Sequence, residues 1–321
     1  MKTSCITTAA LLLSAAFALA QSDEASRLLT QSKTSGGLIV HVGCGDGALA
    51  GALAEAGPAF IVHGLDADKA KVDRARRHFR SLDSADRLSA EVWSGDRLPH
   101  AANLINLLIL ESSGAISTGE AMRALAPGGA VLSRRDRIWK LERKPAVSKS
   151  AEWTHYQYDA ANNPVGEDPD CGLPRRFQWS GKPLWSAAHE SMASLNAMVS
   201  ANGRVFYIMD EGPRASIQLP ADWQLVARDA HNGAVLWKKP ITNWLTRYWP
   251  WKSGPAQMPR KLIAIGDRVY APLDINGPLK QFDAVTGKEL QTYAGTTAAE
   301  EIIHTDGILL VHVNPDPSNM A

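Results

Sequence analysis

Leu38-Ile39-Val40-His41-Val42-Gly43-Cys44-Gly45-Asp46-Gly47 is the stretch on which the fold of the first half turns. Leu38 to Val42 is a short apolar run without helical period, and it stops at three glycines spaced by single residues. An Ala/Leu-rich stretch then reaches Glu55 and ends at Gly57-Pro58, a helix with its stop signal. Working outward, Ala59 to Leu65 reads as a second buried strand ending at Asp66, and Asp68 to Ser81 as a charged amphipathic helix. Further strands are expected at Leu88–Trp93, Leu104–Leu110 and Ala130–Ser133, with a helix near Thr118–Leu125. Near-continuous apolar strands alternating with helices imply a parallel sheet covered on both faces, a Rossmann-like α/β domain.

The glycine loop lies where the first strand hands over to the first helix. Backbone N–H groups and the helix N-terminus can face a ligand there, and glycine lets that ligand come close. Asp66 ends the second strand, where a carboxylate can accept hydrogen bonds from both hydroxyls of a ribose. Each signal also has a plainer reading. Glycines occur in ordinary strand–helix turns, and a strand-end Asp can simply cap the next helix.

The spacing is G-x-G-x-G, and it is followed in order by Gly64-Leu65-Asp66, Gly95-Asp96-Arg97-Leu98-Pro99 and Leu125-Ala126-Pro127-Gly128-Gly129. This set resembles class I S-adenosylmethionine-dependent methyltransferases over about residues 36–135. The resemblance implies that Gly43, Gly45 and Gly47 pass under the methionine and ribose part of the cofactor. By the same resemblance Asp66 holds the ribose hydroxyls and Asp96 approaches the adenine amino group. The sequence also departs from the family. An acid usually stands where His41 stands, and a second usual acid is Asn103. Leu110-Glu111-Ser112-Ser113 replaces an acceptor-site motif, and the last strand pair is cut to one candidate, Ile138 to Glu142.

The chain has 321 residues, room for about two ordinary domains of roughly 150 residues each. Its 34 basic and 33 acidic side chains give no general attraction to nucleic acid, and no nucleic-acid partner is expected. Three cysteines exclude a disulfide-stapled scaffold. Lys2, the apolar run Ala9 to Leu19 and Ala18-Leu19-Ala20 fit a secretory signal peptide cut after Ala20, and a run this short is below the roughly twenty residues of a membrane span. The alternative for these residues is a buried N-terminal helix. Export to the periplasm or the extracellular space argues against methyl transfer, because S-adenosylmethionine is made and kept in the cytosol.

Beyond Arg143 the texture changes: eight of the ten tryptophans fall between Trp153 and Trp251. Ala227-Arg228-Asp229-Ala230-His231-Asn232-Gly233 through Trp237 recurs 54 residues later as Gln281-Phe282-Asp283-Ala284-Val285-Thr286-Gly287 through Gln291. Each copy follows a hairpin signal, Asn202-Gly203 and Gly266-Asp267, and a third such signal is Asp306-Gly307. Repeats of about 40–60 residues with about four short strands imply propeller blades. The Asp caps a turn, the Gly takes a positive φ, and the Trp can lie between neighbouring blades. Ala-x-Asp-x-x-Asn-Gly-x-x-x-Trp resembles the docking motif of quinoprotein-like propellers, the pyrroloquinoline quinone repeat family, and Trp153-Thr154-His155-Tyr156 with Asp159 and Asn162 resembles the segment leading into their first blade. Pyrroloquinoline quinone itself is not expected, because the vicinal cysteines of quinone-dependent dehydrogenases are missing.

The domains expected are a signal peptide at 1–20, a linker at 21–35, a methyltransferase-like α/β domain at 36–145, a linker and lead-in at 146–190, and a partial propeller at 191–321. Two blades and the opening of a third leave the propeller open, which implies a C-terminally truncated polypeptide or pairing with another chain. His155, Asp159, His189 and Glu190 have no compact metal-ligand spacing and read as solvated loops. Trp244, Tyr248, Trp249 and Trp251 read as blade packing rather than a sugar platform, and Arg134, Arg135, Arg137, Lys140, Arg143 and Lys144 as a solvated linker. The leading expectation is an exported envelope protein, its propeller a binding surface for an envelope protein or small-molecule ligand and its α/β domain catalytically silent. The alternative is an S-adenosylmethionine-dependent methyltransferase. No catalytic residue and no metal ligand is assigned.

Overall fold

The computed structural model describes residues 19–112, 116–136, 138–147, 152–168, 177–181, 193–248 and 254–314. The signal run up to residue 18, Arg137, Cys171, His189, Glu190, Trp249, Trp251 and the last seven residues lie outside them. The chain divides into two compact units, Met1–Val147 and Ser148–Ala321.

In the first unit, helix α1 covers residues 19–32. It is followed by β1 (Gly37–Val42), α2 (Ala48–Glu55), β2 (Phe60–Asp66), α3 (Lys69–Phe79), β3 (Leu88–Val92), β4 (Ile105–Leu110), α4 (Thr118–Ala124), β5 (Leu125–Arg135) and β6 (Ile138–Arg143). The strands lie in the order β3-β2-β1-β4-β5-β6. The first five are parallel, as their apolar runs predict, and β6 runs antiparallel to β5.

Alternation along β1 sends Ile39 into one core with Leu28, Leu53, Val62 and Phe79, and Val40 and Val42 into the opposite core with Leu65, Leu108 and Leu125. Helix α3 starts where Asp68 accepts the Ala70 and Lys71 N–H groups, and its last turn carries Arg76, Arg77 and His78 against the negative end of the helix dipole. Val42 pairs with both Leu65 and Leu110, so β1, β2 and β4 finish level at the edge that carries the glycine loop.

The second unit holds two four-stranded antiparallel sheets and a hairpin. They are β7 (Leu195–Ala201), β8 (Arg204–Asp210), β9 (Trp223–Asp229) and β10 (Val235–Pro240); β11 (Ile263–Ile265), β12 (Arg268–Ala271), β13 (Lys280–Asp283) and β14 (Glu289–Thr292); and β15 (Ala299–Thr305) with β16 (Ile308–Val313). The two repeat copies form equivalent turns. Asp229 accepts the N–H groups of His231 and Asn232, and Asp283 those of Val285 and Thr286. The Trp237 indole donates to the Ala284 carbonyl at 3.0 Å and sits where a Cβ on Gly287 would come within 2.7 Å. Trp179 treats the earlier turn alike, donating to the Ala230 carbonyl at 2.9 Å over Gly233.

Residues 153–155 tie the three sheets together. The Trp153 carbonyl accepts Ser200 N–H from β7, the Thr154 carbonyl accepts Ala264 N–H from β11, and His155 Nε2 accepts His304 N–H from β15.

Several expectations change. Residues 21–35, expected as a linker, belong largely to α1, because Ala25, Leu28, Leu29 and Ser32 fall on one helical face and are buried. His155 is not a solvated loop residue: it is 5% exposed, with Nδ1 against the Thr154 hydroxyl. The basic stretch is the β5–β6 hairpin rather than a linker, with Arg143 on the Ser32 carbonyl and Lys144 on Asn103 and the Leu125 carbonyl. Trp244 is buried and donates to Asn196, while Tyr248 is exposed.

Candidate functional site

The loop between β1 and α2 is shaped by its glycines. Gly43, Gly45 and Gly47 have φ of 81°, 61° and 85°, a region that side chains disfavour. Gly47 is also needed for closeness, since a Cβ there would meet the Phe79 ring at 2.6 Å. Around Gly45 nothing lies within 4 Å of an added Cβ, so the middle of the loop faces open space. The next helix is capped by Asp68, which overturns the capping reading of Asp66. Asp66 is 7% exposed, its Oδ2 accepts Gly45 N–H at 3.0 Å, and its Oδ1 accepts Asp68 N–H at 2.9 Å. The carboxylate therefore braces the loop from β2, with a lone pair left on each oxygen.

Cys44 points inward against Gly64. Burial, and then the Asp66 charge, push its thiol up to about 12, which removes it from thiolate chemistry.

A cavity of about 410 Å³ opens beside the loop, lined by Gly43, Cys44, Asp46 and Leu49, by His41, Glu111 and Arg134, and by residues of α1. His41 is 2% exposed, and its Nε2 lies 3.2 Å from Glu111 Oε1 while its Nδ1 has no partner. Glu111 Oε2 accepts from Arg134 at 2.9 Å. Burial alone would raise the Glu111 carboxyl, but its bonds to His41 and Arg134 outweigh burial and hold it below the ordinary value, hence ionised. The Arg134 guanidinium lies 5.4 Å from the centroid of the Trp139 ring, Trp139 Nε1 donates to Glu24 of α1 at 2.6 Å, and Arg27 bonds Glu24. One polar chain thus runs from β4 through β5 and β6 to α1 around the cavity.

The structure brings Gly43, Gly45, Gly47 and Asp66 into one site. Asp96 is exposed in the segment after β3, which is anchored beside Asp66 by the bond from Trp93 N–H to the Asp66 carbonyl, but no described contact joins Asp96 to the loop. Asn103 is turned away to Lys144, with φ of 61°. Sequence reasoning missed the roles of Glu111, just after β4, and Arg134 of β5, which lie 68 and 91 positions beyond Gly43. It also missed Glu24 and Arg27, which lie on α1 where the sequence predicts a linker. The signal available for that helix was the spacing of Ala25, Leu28 and Leu29.

A family profile described as a methyltransferase domain matches residues 39–129. With the strand order, this gives the N-terminal unit a Rossmann-like methyltransferase fold. Among solved structures, the chain is similar to a putative S-adenosyl-L-methionine-dependent methyltransferase from Methanococcus maripaludis, at 23% identity and TM-score 0.31 over 34% of this chain and 52% of that one. It is similar to geranyl diphosphate C-methyltransferase from Streptomyces coelicolor, in complex with Mg2+, geranyl diphosphate and S-adenosyl-L-homocysteine, at 22% and 0.32 over 35% and 44%. A third is the [4+2]-cyclase SpnF, at 22% and 0.32 over 35% and 43%. The chain spans about half the length of these proteins. No curated protein matches it.

Proposed function

We propose that the N-terminal unit binds S-adenosylmethionine and serves as a methyltransferase domain. The observation that carries this reading is the glycine loop, held open by three positive-φ glycines and braced by Asp66, beside a polar cavity of about 410 Å³. The residues fit such a donor. Asp66 keeps lone pairs for a ribose diol, Gly45 leaves room for close approach, and Asp96 is free at the same sheet edge for an adenine amino group. When bound, the donor supplies an electrophilic methyl group. Calorimetry with S-adenosylmethionine tests this: micromolar binding abolished by Asp66→Ala is expected, and absence of binding at millimolar donor sinks it.

A second reading is a domain that binds a nucleoside-like ligand without chemistry. It is favoured by Asp66, both of whose oxygens already serve the backbone, and by Glu111, bound to His41 and Arg134 in the segment that replaces an acceptor motif. Donor binding without methyl transfer to any offered acceptor would support it.

For the second unit we propose quinoprotein-like propeller blades serving as a binding surface. The support is the equal docking of Trp179 and Trp237 on two turns 54 residues apart. Export is proposed from the leader-like run alone, and N-terminal sequencing of the native protein starting at Gln21 is the expected result.

A further inference from the structure

The cavity beside the glycine loop carries more acids than bases. Glu24, Asp46 and Glu111 face it against Arg27 and Arg134, an excess of one negative charge apart from His41. The three carboxylates are not equivalent. Glu24 has both oxygens bonded to Arg27, and Trp139 takes one of them as well. Asp46 is exposed and caps Ala48 N–H. Glu111 is different: it sits directly over Gly43, where an added Cβ would meet its own Cβ at 3.0 Å, and its backbone N–H continues the β1 pairing to the Val42 carbonyl. Each of its oxygens has one described partner, His41 or Arg134, which leaves a lone pair on each directed by a fixed carboxyl plane.

We propose that Glu111, clamped between His41 and Arg134, is the group that recognises the ammonium of an α-amino-acid-bearing ligand in this cavity. His41, at the place where the sequence lacks an acid, is then a positioning residue that sets the Glu111 carboxyl plane, and the Arg134 and Arg27 guanidiniums present donors to the ligand's carboxylate. A methyl donor with sulfonium, ammonium and carboxylate has one net positive charge, opposite to the excess in the cavity. The bonds from His41 and Arg134 keep Glu111 ionised, as the task requires. The inference rests on the donor-site reading.

The test uses two ligands and one variant of the full chain. S-adenosylhomocysteine and its desamino analogue, which lacks only the ammonium, are titrated calorimetrically into the wild type and into Glu111→Gln. A charge-assisted hydrogen bond corresponds to about ten- to a hundredfold in affinity. Wild type is expected to prefer the amino ligand by that factor and Glu111→Gln to bind both alike, with His41→Ala showing an intermediate preference. Equal wild-type affinities, or a preference that survives in Glu111→Gln, overturn the proposal. This includes a uniform weakening of both ligands, which marks Glu111 as structural. Binding of neither ligand to wild type overturns the donor-site reading itself. If Glu111→Gln does not fold, Glu111→Asp takes its place: a reduced preference for the amino ligand supports the proposal, and an undiminished preference, or equal wild-type affinities, overturns it.

Discussion

Three aspartate–glycine pairs in this protein use the same two parts in opposite ways. At each, an aspartate at the end of a strand, Asp66 of β2, Asp229 of β9 or Asp283 of β13, accepts backbone N–H groups beside a positive-φ glycine; Gly233 and Gly287 lie in the same turn as their aspartates, whereas Gly45 belongs to the loop after β1 and meets Asp66 across 21 positions. In the second unit the space made by the missing Cβ is filled, by Trp179 at 2.3 Å and Trp237 at 2.7 Å from the position an added Cβ would take. In the first unit nothing comes within 4 Å of that position on Gly45. The same backbone device therefore serves as a socket for an indole in one unit and as an open cradle in the other. What separates them is whether the chain supplies the occupant.

The largest expected effect tests the filled socket. Trp237→Ala removes an indole that is 9% exposed, lying between Phe206 and Phe282, and should destabilise the second unit by about 3–5 kcal/mol in urea unfolding. Gly287→Ala comes next. Positive φ alone costs roughly 1–2 kcal/mol, and the collision with Trp237 adds about 1–3 kcal/mol. Gly45→Ala carries only the first of these, so its unfolding midpoint should move less while its affinity for S-adenosylmethionine falls more. Equal destabilisation by the two glycine variants would break the comparison.

A titration follows. His63 Nδ1 and His100 Nε2 lie 3.0 Å apart, so one ring must donate and the other accept. Burial, then the charges of His63 and Arg123, hold His100 down from 6.5 to about 4, and burial holds His63 below 6.5. Both shifts are downward, so the unfolded chain binds more protons in this range. The stability they support is present above pH 6.5 and lost as pH falls toward 4. His100→Gln should flatten the acid limb of first-unit stability without touching the second unit. The smallest effect belongs to Asp96→Ala. This residue is exposed, so stability should stay within about 0.5 kcal/mol, leaving a modest loss of donor affinity as its only signature.

Much of this was legible because it is local. Near-continuous apolar runs, the glycine spacing and the strand-end Asp66 all announce themselves within short windows. The repeated turns of the second unit carry the same triad of Asp, Ala and Gly at fixed offset. The rest was hidden by distance or by context. His41 meets Glu111 across 70 positions, and no pattern in either segment marks the meeting. Trp179 lies in a Gly/Pro-rich stretch without periodicity, and only its seat on Gly233 reveals its equivalence to Trp237. Helix α1 was obscured by the leader-like run before it. Its buried stripe is short, Ala25, Leu28 and Leu29, and ends on Ser32, whose hydroxyl donates to the Leu29 carbonyl.

The strap at residues 153–155 has a kinetic consequence. Its three acceptors serve β7, β11 and β15, and the last of these bonds spans 149 residues from His155 to His304. On a ribosome, which delivers the chain N-terminal end first, His155 emerges long before its partner His304. Trp153 and Thr154 can be paired as β7 and β11 emerge, but the last bond of the strap, from His304 N–H to His155, waits until the hairpin β15–β16 has been synthesised. Non-local closure of this kind slows folding and lengthens the time that strand edges stand exposed.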